Sequence, residues 1–418
     1  MRSEAADVQH NHQAIGRAQE LWLSHKYAPG APFFLPNGAH IYNKLIALMR
    51  GECLARGYDE VLSPQMISAD LFNDSGHLAH YAKDMFLFDH DGRRVGLKPM
   101  SCPCHCLIFA AHVRSYRDLP LRLAEFGVVH RNECSGSLSG LRRVVRFCQD
   151  DAHIFCAEEM IAEEVLAVLD LQRDVYARLG LIASYELASR PEKSLQLGDD
   201  DDGVWKRAEE ALGRALDASV GPGKWSMDEG GGAFYGPKID VKVRDARGAD
   251  LQCASVQLDF QMPSRLGCKY VDAHGVRRSP VMIHRAVLGS IERMFAVLSE
   301  RYGGDWPFWI SPHQAIVMPV SAAEDAQCAH AKRAHQLLRA AGHAVAVDLS
   351  QRDMRVKIKE AEGHGPRGRL WRYHLILVVG SREVEGDAVH VKEAGAKRGQ
   401  AVRLDALCAY FARREAGE

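Results

Sequence analysis

The stretch that most limits the fold runs from residue 121 to 156: "LRLAEFGVVHR", then "NECSGSLSGLR", then "RVVRFCQDDAHIFC". Two long apolar-rich runs around a Gly/Ser-rich loop predict an antiparallel strand pair. Side chains alternate faces along a strand, so Gln149, Asp151 and His153 share one face, and Cys148, Asp150 and Ala152 share the other. A lone histidine there would read as a satisfied core residue. Three polar side chains in register between apolar flanks need partners and read as the floor of a polar pocket. Arg131, Glu133, Arg142, Arg143 and Arg146 flank the loop, and guanidinium forks suit phosphate oxygens. The competing reading of these charges is a solvated hairpin face.

Elsewhere the periodicity separates two regions. Ile41, Leu45, Leu48, Met49 and Leu54 repeat at helical spacing, with Gly57 as a helix stop and "DEVLSP" as a short strand. Ile161, Val165, Val168, Leu169 and Leu171 mark another helix. "FYGPKIDVKVRD" and "DLQCASVQLDF" read as strands, and a long amphipathic helix after "VMIHRA" runs through Leu288, Ile291, Phe295 and Leu298. The acidic run Asp199 to Asp202 reads as a solvated loop or helix start. Near "PFWISPHQ" the pattern becomes βαβαβα, with helices over 322–341 and 353–362, predicting a separate small α/β domain.

A chain of 418 residues is long enough for two domains or three. Its net charge of −1 argues against a protein that coats nucleic acid, so any RNA contact should be local. The N-terminus lacks the apolar core of a signal peptide, and no apolar run is long enough to span a membrane. Eleven cysteines, an odd number spread over a long chain, do not read as a disulfide framework. There is no Walker-type phosphate loop, and "GPGKWS" lacks its spacing. A nucleotide, if used, must be held another way.

"KPMSCPCHC" places Cys102, Cys104, His105 and Cys106 within five positions. The plain reading is a turn with incidental thiols. The spacing does not make a structural zinc knuckle, because no second short Cys pair follows.

These segments together resemble the threonyl-tRNA synthetases, which are class II aminoacyl-tRNA synthetases, over nearly all of 1–418. "FFLPNGAHIYNKLIALMR…GYDEVLSP" is similar to motif 1 of that class, "AEFGVVHRNECSGSLSGLRRVVRFCQDDAHIFC" to motif 2 and "VMIHRAVLGSIERMF" to motif 3. "KPMSCPCH", "RPEKS", "GGGAFYGPKID" and "QCASVQLDF" are similar to the family's own blocks. The resemblance implies an α+β catalytic domain over 1–310, an antiparallel sheet flanked by helices, and an anticodon-binding-like α/β domain over 311–418. It implies ATP-dependent activation of L-threonine and transfer to threonine tRNA. It also implies a cytoplasmic homodimer through motif 1, one zinc ion per chain, and magnesium with ATP.

The family's residues fall on Cys102, His153 and His284 as metal ligands, leaving Cys104, His105 and Cys106 as bystanders. Gln149, Asp151, Tyr235 and Gln257 fall on the amino-acid pocket, where the amino and hydroxyl groups of threonine chelate the metal and Asp151 accepts from the hydroxyl. Arg131 falls on the α-phosphate, Glu133 on adenine, Arg143 and Arg293 on the γ-phosphate, and Gln252 near the ribose. Lys238 stabilises developing charge, and His77 lies near the accepting ribose hydroxyl.

Several positions depart from the family. Cys104 stands for Gly, Cys134 for Pro, and Lys359 for Arg. "VHVKEAGAKRG" replaces an Arg-rich strand, and "AEGHGPRGRLWRYH" expands a short connection. Nothing in the leader matches the family's additional N-terminal domains, including the one that hydrolyses seryl-tRNA. The expectation is therefore serine misacylation unless a separate editing protein helps. Two other readings stay open: a threonine-activating paralogue with a non-tRNA acceptor, and a non-catalytic relative.

Overall fold

The computed structural model describes residues 10–192, 194, 201–245 and 248–417. Two compact units emerge, one from Met1–Leu23, Phe33–Leu45 and Leu298–Glu418, the other from Ser24–Pro32 and Ile46–Val297. This grouping by compactness is a different division from the functional one expected between residues 310 and 311.

The second unit is built on an eight-stranded sheet. Its strands are β1 (Asp59–Glu60), β2 (Leu121–His130), β3 (Arg146–Cys156), β4 (Ala183–Ala188), β5 (Ser226–Asp228), β6 (Lys238–Arg244), β7 (Asp250–Asp259) and β8 (Val281–Ala286). Their order is β5-β4-β6-β7-β8-β3-β2-β1, antiparallel except for the two edge pairs β4–β5 and β1–β2. The strand pair expected around the Gly/Ser loop is β2–β3, paired over its whole length.

The register decides what shares a face. Leu123 pairs with His153, His153 with His284, His284 with Gln257, and Gln257 with Lys238. One row therefore crosses five strands. Beside it, Glu125 pairs with Asp151 and Asp240 with Ser255. Polar residues collect on this face because strand periodicity is two and the alternate positions, such as Ile154, Ile283, Val256 and Leu258, are apolar and buried. On the apolar side, Arg122 forms a bidentate pair with Glu164 (2.7 and 2.5 Å) of the helix Ile161–Arg178. That helix buries Val165, Val168, Leu169 and Leu171, as its spacing predicted. Over the polar side lies the helix Cys102–Ala110, whose Phe109 stacks on Phe155 at 4.6 Å.

Three local expectations are adjusted, and the reading of the acidic run is met in part. "CPCHC" is the first turn of that helix rather than a loop turn, with Pro103 at a position where a missing N–H costs nothing. Leu54 is 74% exposed, although Ile41, Leu45, Leu48 and Met49 are buried. The helix after β8 starts at Ile291, not at Leu288, because Gly289 has φ +76 and breaks the run. Of the acidic run, 199 and 200 lie outside the described residues and a helix begins at Asp201; in "RPEKS", Lys193 also lies outside them.

The first unit carries a five-stranded sheet: β9 (Ala315–Pro319), β10 (Val345–Val347), β11 (Leu375–Val379), β12 (Ala388–Glu393) and β13 (Gln400–Arg403). The order is β10-β9-β11-β12-β13; the first three strands are parallel and the last two antiparallel. Helices Asp325–Ala340 and Leu404–Ala416 contribute Ala331, Leu338, Leu407 and Phe411 to a core with Val317, Leu377 and Val391. The small α/β domain expected from the alternating pattern is present. Among the described residues no helix is long and apolar enough to cross a membrane.

Glu415 accepts from Gln314 Nε2 (2.8 Å) and Lys44 Nζ (3.2 Å), with His343 Nδ1 at 3.2 Å. Burial opposes its charge, but His343, Gln314 and Lys44 outweigh it and hold the carboxyl at about 2. A folded-state value below the unfolded one gives stability that is present above the ordinary carboxyl range and lost as pH falls through about 2. Glu415→Gln should lower the urea midpoint at pH 7, and the gap to wild type should narrow as titrations move from pH 5 toward ~3.

Candidate active site and metal centre

Cys102, His153 and His284 each bring one ligand atom within 4.8 Å of the others. Cys102 comes from the helix over the sheet, and the two histidines from paired positions of β3 and β8. Burial holds His153 well below the ordinary imidazole range, so it is neutral and able to ligate. Burial, then Asp151 and Asp259, pushes the Cys102 thiol up. A buried thiol facing two carboxylates is a place where a cation would relieve the charge balance. His284 Nε2 lies 3.1 Å from Asp259 Oδ2, which leaves Nδ1 as its free ligand atom. One sulfur and two nitrogens with an open side are a donor set that fits zinc.

Tyr235 and Gln257, both expected at the amino acid, lie beside His284. The Tyr235 ring lies 5.4 Å from that of His284, and its hydroxyl donates to Gln257. Asp151 is half-buried on the same face, and burial raises its carboxyl despite the nearby Arg131 guanidinium. His77 is buried, with Nδ1 2.8 Å from Ser75 Oγ and Nε2 3.7 Å from Cys102 Sγ.

A cavity of about 220 Å³ is lined by Arg131, Glu133, Arg143, Gln149, Gln252, Gln257 and Arg293. The five residues expected at a nucleotide are thus brought together, along with two expected at the amino acid. Arg131 lies over the Phe147 ring (5.1 Å) and donates to Pro99 O (3.4 Å). Arg143 pairs with Glu133 (2.7 Å). Arg293 donates to the backbone oxygens of Arg142 (3.2 Å) and Gln252 (2.9 Å). Lys238 and Gln252 both meet Asp240, at 2.6 and 2.5 Å.

The sequence reading missed several participants. Asp240 ties Lys238 to Gln252, and only the "KID" alternation hinted at it. Arg142 was noticed as a charge but given no role; it lines the same cavity and donates to Asp245 at 2.8 Å. His105, expected to be a bystander, has Nδ1 2.8 Å from His153 Nδ1. Cys104 and Cys106 are buried outside the ligand trio.

A mostly antiparallel sheet with an arginine-lined cavity beside a Cys-His-His cluster is the arrangement of a class II aminoacyl-tRNA synthetase core. Residues 86–302 match the tRNA synthetase class II core domain (G, H, P, S and T), and 314–414 match the anticodon binding domain. The chain is 48% identical, over 92% of its length, to the mitochondrial threonine–tRNA ligase 1 of Arabidopsis thaliana. It is 46% identical, over 91%, to the cytoplasmic threonine–tRNA ligase 1 of Homo sapiens. It covers 52% and 51% of these proteins, so the chain spans about half the length of the curated relatives it matches. The crystal structure of the RNA binding domain of threonyl-tRNA synthetase from Cryptosporidium parvum Iowa II superposes with a TM-score of 0.89 at 41% identity. That match covers 97% of this chain and 98% of the other. The chain belongs to the threonyl-tRNA synthetase family.

Gly289 lines the arginine cavity, and a Cβ there would sit 2.3 Å from the carbonyl oxygen of Cys253. With φ at +76 as well, Gly289→Ala should cost about 1–3 kcal/mol, read as a lower urea midpoint with an unchanged slope.

Proposed function

We propose that the protein activates L-threonine with ATP and transfers it to the 3′-terminal adenosine of threonine tRNA. The observation that carries this reading is the shared sheet face: the His153–His284–Gln257–Lys238 row joins the metal-binding trio to the arginine cavity.

In the first step the threonine carboxylate oxygen bonds to the α-phosphorus of ATP and the bond to pyrophosphate breaks. Arg131 holds the α-phosphate, Arg143 and Arg293 hold the γ-phosphate, and Lys238 faces the charge that develops at the reacting centre. Burial lowers the guanidinium value of Arg293, and Arg131 and Arg143 add to this; such crowded cations suit a polyphosphate accompanied by magnesium. Glu133 contacts adenine and Gln252 the ribose. In the second step a ribose hydroxyl of the terminal adenosine takes the acyl group and AMP leaves, with His77 beside that hydroxyl. Gln149, Asp151, Tyr235 and Gln257 orient the amino acid. A zinc ion held by Cys102, His153 and His284 supplies a Lewis-acidic point for the amino and hydroxyl groups of threonine.

The functional division we propose is a catalytic domain over 1–310 and an anticodon-binding-like domain over 311–418. A cytoplasmic homodimer is part of the same reading. The altered C-terminal stretches bear on how the tRNA is held: Lys359 is exposed, whereas Lys392 of "VHVKEAG" pairs with Glu362 at 2.8 Å.

Zinc content measured on purified variants checks the ligand assignment: Cys102→Ala should lose the metal and Cys104→Ala should retain it. Charging of threonine tRNA transcript, with ATP–pyrophosphate exchange alongside, checks the activity. Serine lacks only the methyl group of threonine. The pocket should therefore prefer threonine by roughly 10–200-fold, and residues 1–418 assayed alone should form measurable seryl-tRNA. Exchange without charging would overturn the tRNA half of the proposal, and a separate editing protein should remove the serine product.

A further inference from the structure

Behind the candidate ligand His153 runs a chain of buried polar groups that the roles above leave unused. His153 Nδ1 lies 2.8 Å from His105 Nδ1, and His105 Nε2 lies 3.2 Å from Glu125 Oε2. The other oxygen of Glu125 accepts from Lys98 Nζ (2.8 Å) and from the Ser63 amide (2.9 Å), and the Ser63 hydroxyl lies against both oxygens (3.0 and 2.8 Å). Lys98 and His105 are fully buried, and Glu125 and His153 are 2% exposed. Such groups make their hydrogen bonds with each other or not at all.

The chain has a direction. A carboxylate only accepts, so His105 must carry its proton on Nε2 to meet Glu125. The facing Nδ1 atoms of His105 and His153 need one donor and one acceptor between them, and a neutral His105 that donates from Nε2 supplies the acceptor. His153 then donates from Nδ1, which leaves the lone pair of its Nε2 as its free ligand atom in the trio with Cys102 and His284. Cys102 and His105 sit on one turn of the same helix, so ligand and supporting partner are placed together.

We infer that Glu125 and His105 are positioning residues that select the tautomer and ring orientation of His153, and thereby set how tightly the chain holds zinc. This rests on the metal reading above. The competing role is purely structural: a buried ion pair that holds helix to sheet.

Glu125→Gln separates the two. Lys98 and the Ser63 amide both donate to the Oε1 position, so the new amide oxygen must face them and its NH₂ must face His105. The polarity of the chain then reverses: His105 accepts on Nε2, donates from Nδ1, and leaves His153 with its proton on Nε2, the nitrogen that should bind metal.

The experiment is a zinc titration of the full chain against a chromophoric chelator, with thermal melts of the zinc-free proteins alongside. Glu125→Gln should weaken zinc binding by about 10–100-fold, as loss of an outer partner to a ligating histidine does. Equal affinity in wild type and variant, with only the zinc-free melting temperature lowered, would overturn the positioning role. A wild type that binds no zinc would instead remove the metal reading itself. If Glu125→Gln does not fold, the double variant Lys98→Met/Glu125→Gln removes the unpaired buried cation. It keeps the Ser63 amide that orients the new side chain, and the same loss of zinc affinity is expected.

Discussion

The pairing of β3 with β8 is the contact on which the site depends. His153 and His284 face each other only in the observed register. Because strand periodicity is two, a slip of one residue would carry one histidine to the opposite face and break the trio. The apolar residues on that opposite face hold the register, since a slip would expose them. Asp150 adds a specific clamp, accepting from the amides of Val287 (2.8 Å) and Leu288 (3.0 Å) just beyond β8. Burial raises its carboxyl to about 6 even with Arg285 and those amides nearby. The clamp is therefore a positional device and weak evidence for stability.

A face crowded with polar groups is costly to bury, and the protein meets this by giving the groups one another as partners. Glu125 takes Lys98 and Ser63, Asp259 faces His284, and Asp240 takes Lys238 and Gln252. Arg293 is anchored on two backbone carbonyls. Of these side chains Gln252 and Arg293 line the cavity, and their contacts hold them in place before any substrate arrives, so little reorganisation is left for the reaction.

Much of this was legible along the chain. The alternation of "FCQDDAHIF" predicted the shared face of Gln149, Asp151 and His153, and the unshifted pairing of β3 with β2 through all three residues bears it out. The helical spacing of Ile161 to Leu171 and the alternating C-terminal pattern gave the right elements. What failed did so for local physical reasons. Leu54 fits a helical stripe yet is exposed, because periodicity says which residues share a face but not what covers that face. The helix after β8 was started too early because one left-handed glycine overrides an apolar run. His105 stays outside the ligand trio, as the family resemblance implied, but its place behind His153 is visible only once the helix lies over the sheet.

The sequence by itself determined the strand and helix content, the face on which each polar residue stands, and through its motifs the family to which the chain belongs. These depend on backbone periodicity and on residues close together in the chain. Only the tertiary structure decided that Asp240 joins Lys238 to Gln252, that Asp259 stands behind His284, and that Glu125 and His105 stand behind His153. Those contacts link strands and helices as many as 48 residues apart, and hydrogen-bond direction has meaning only once both partners are in place.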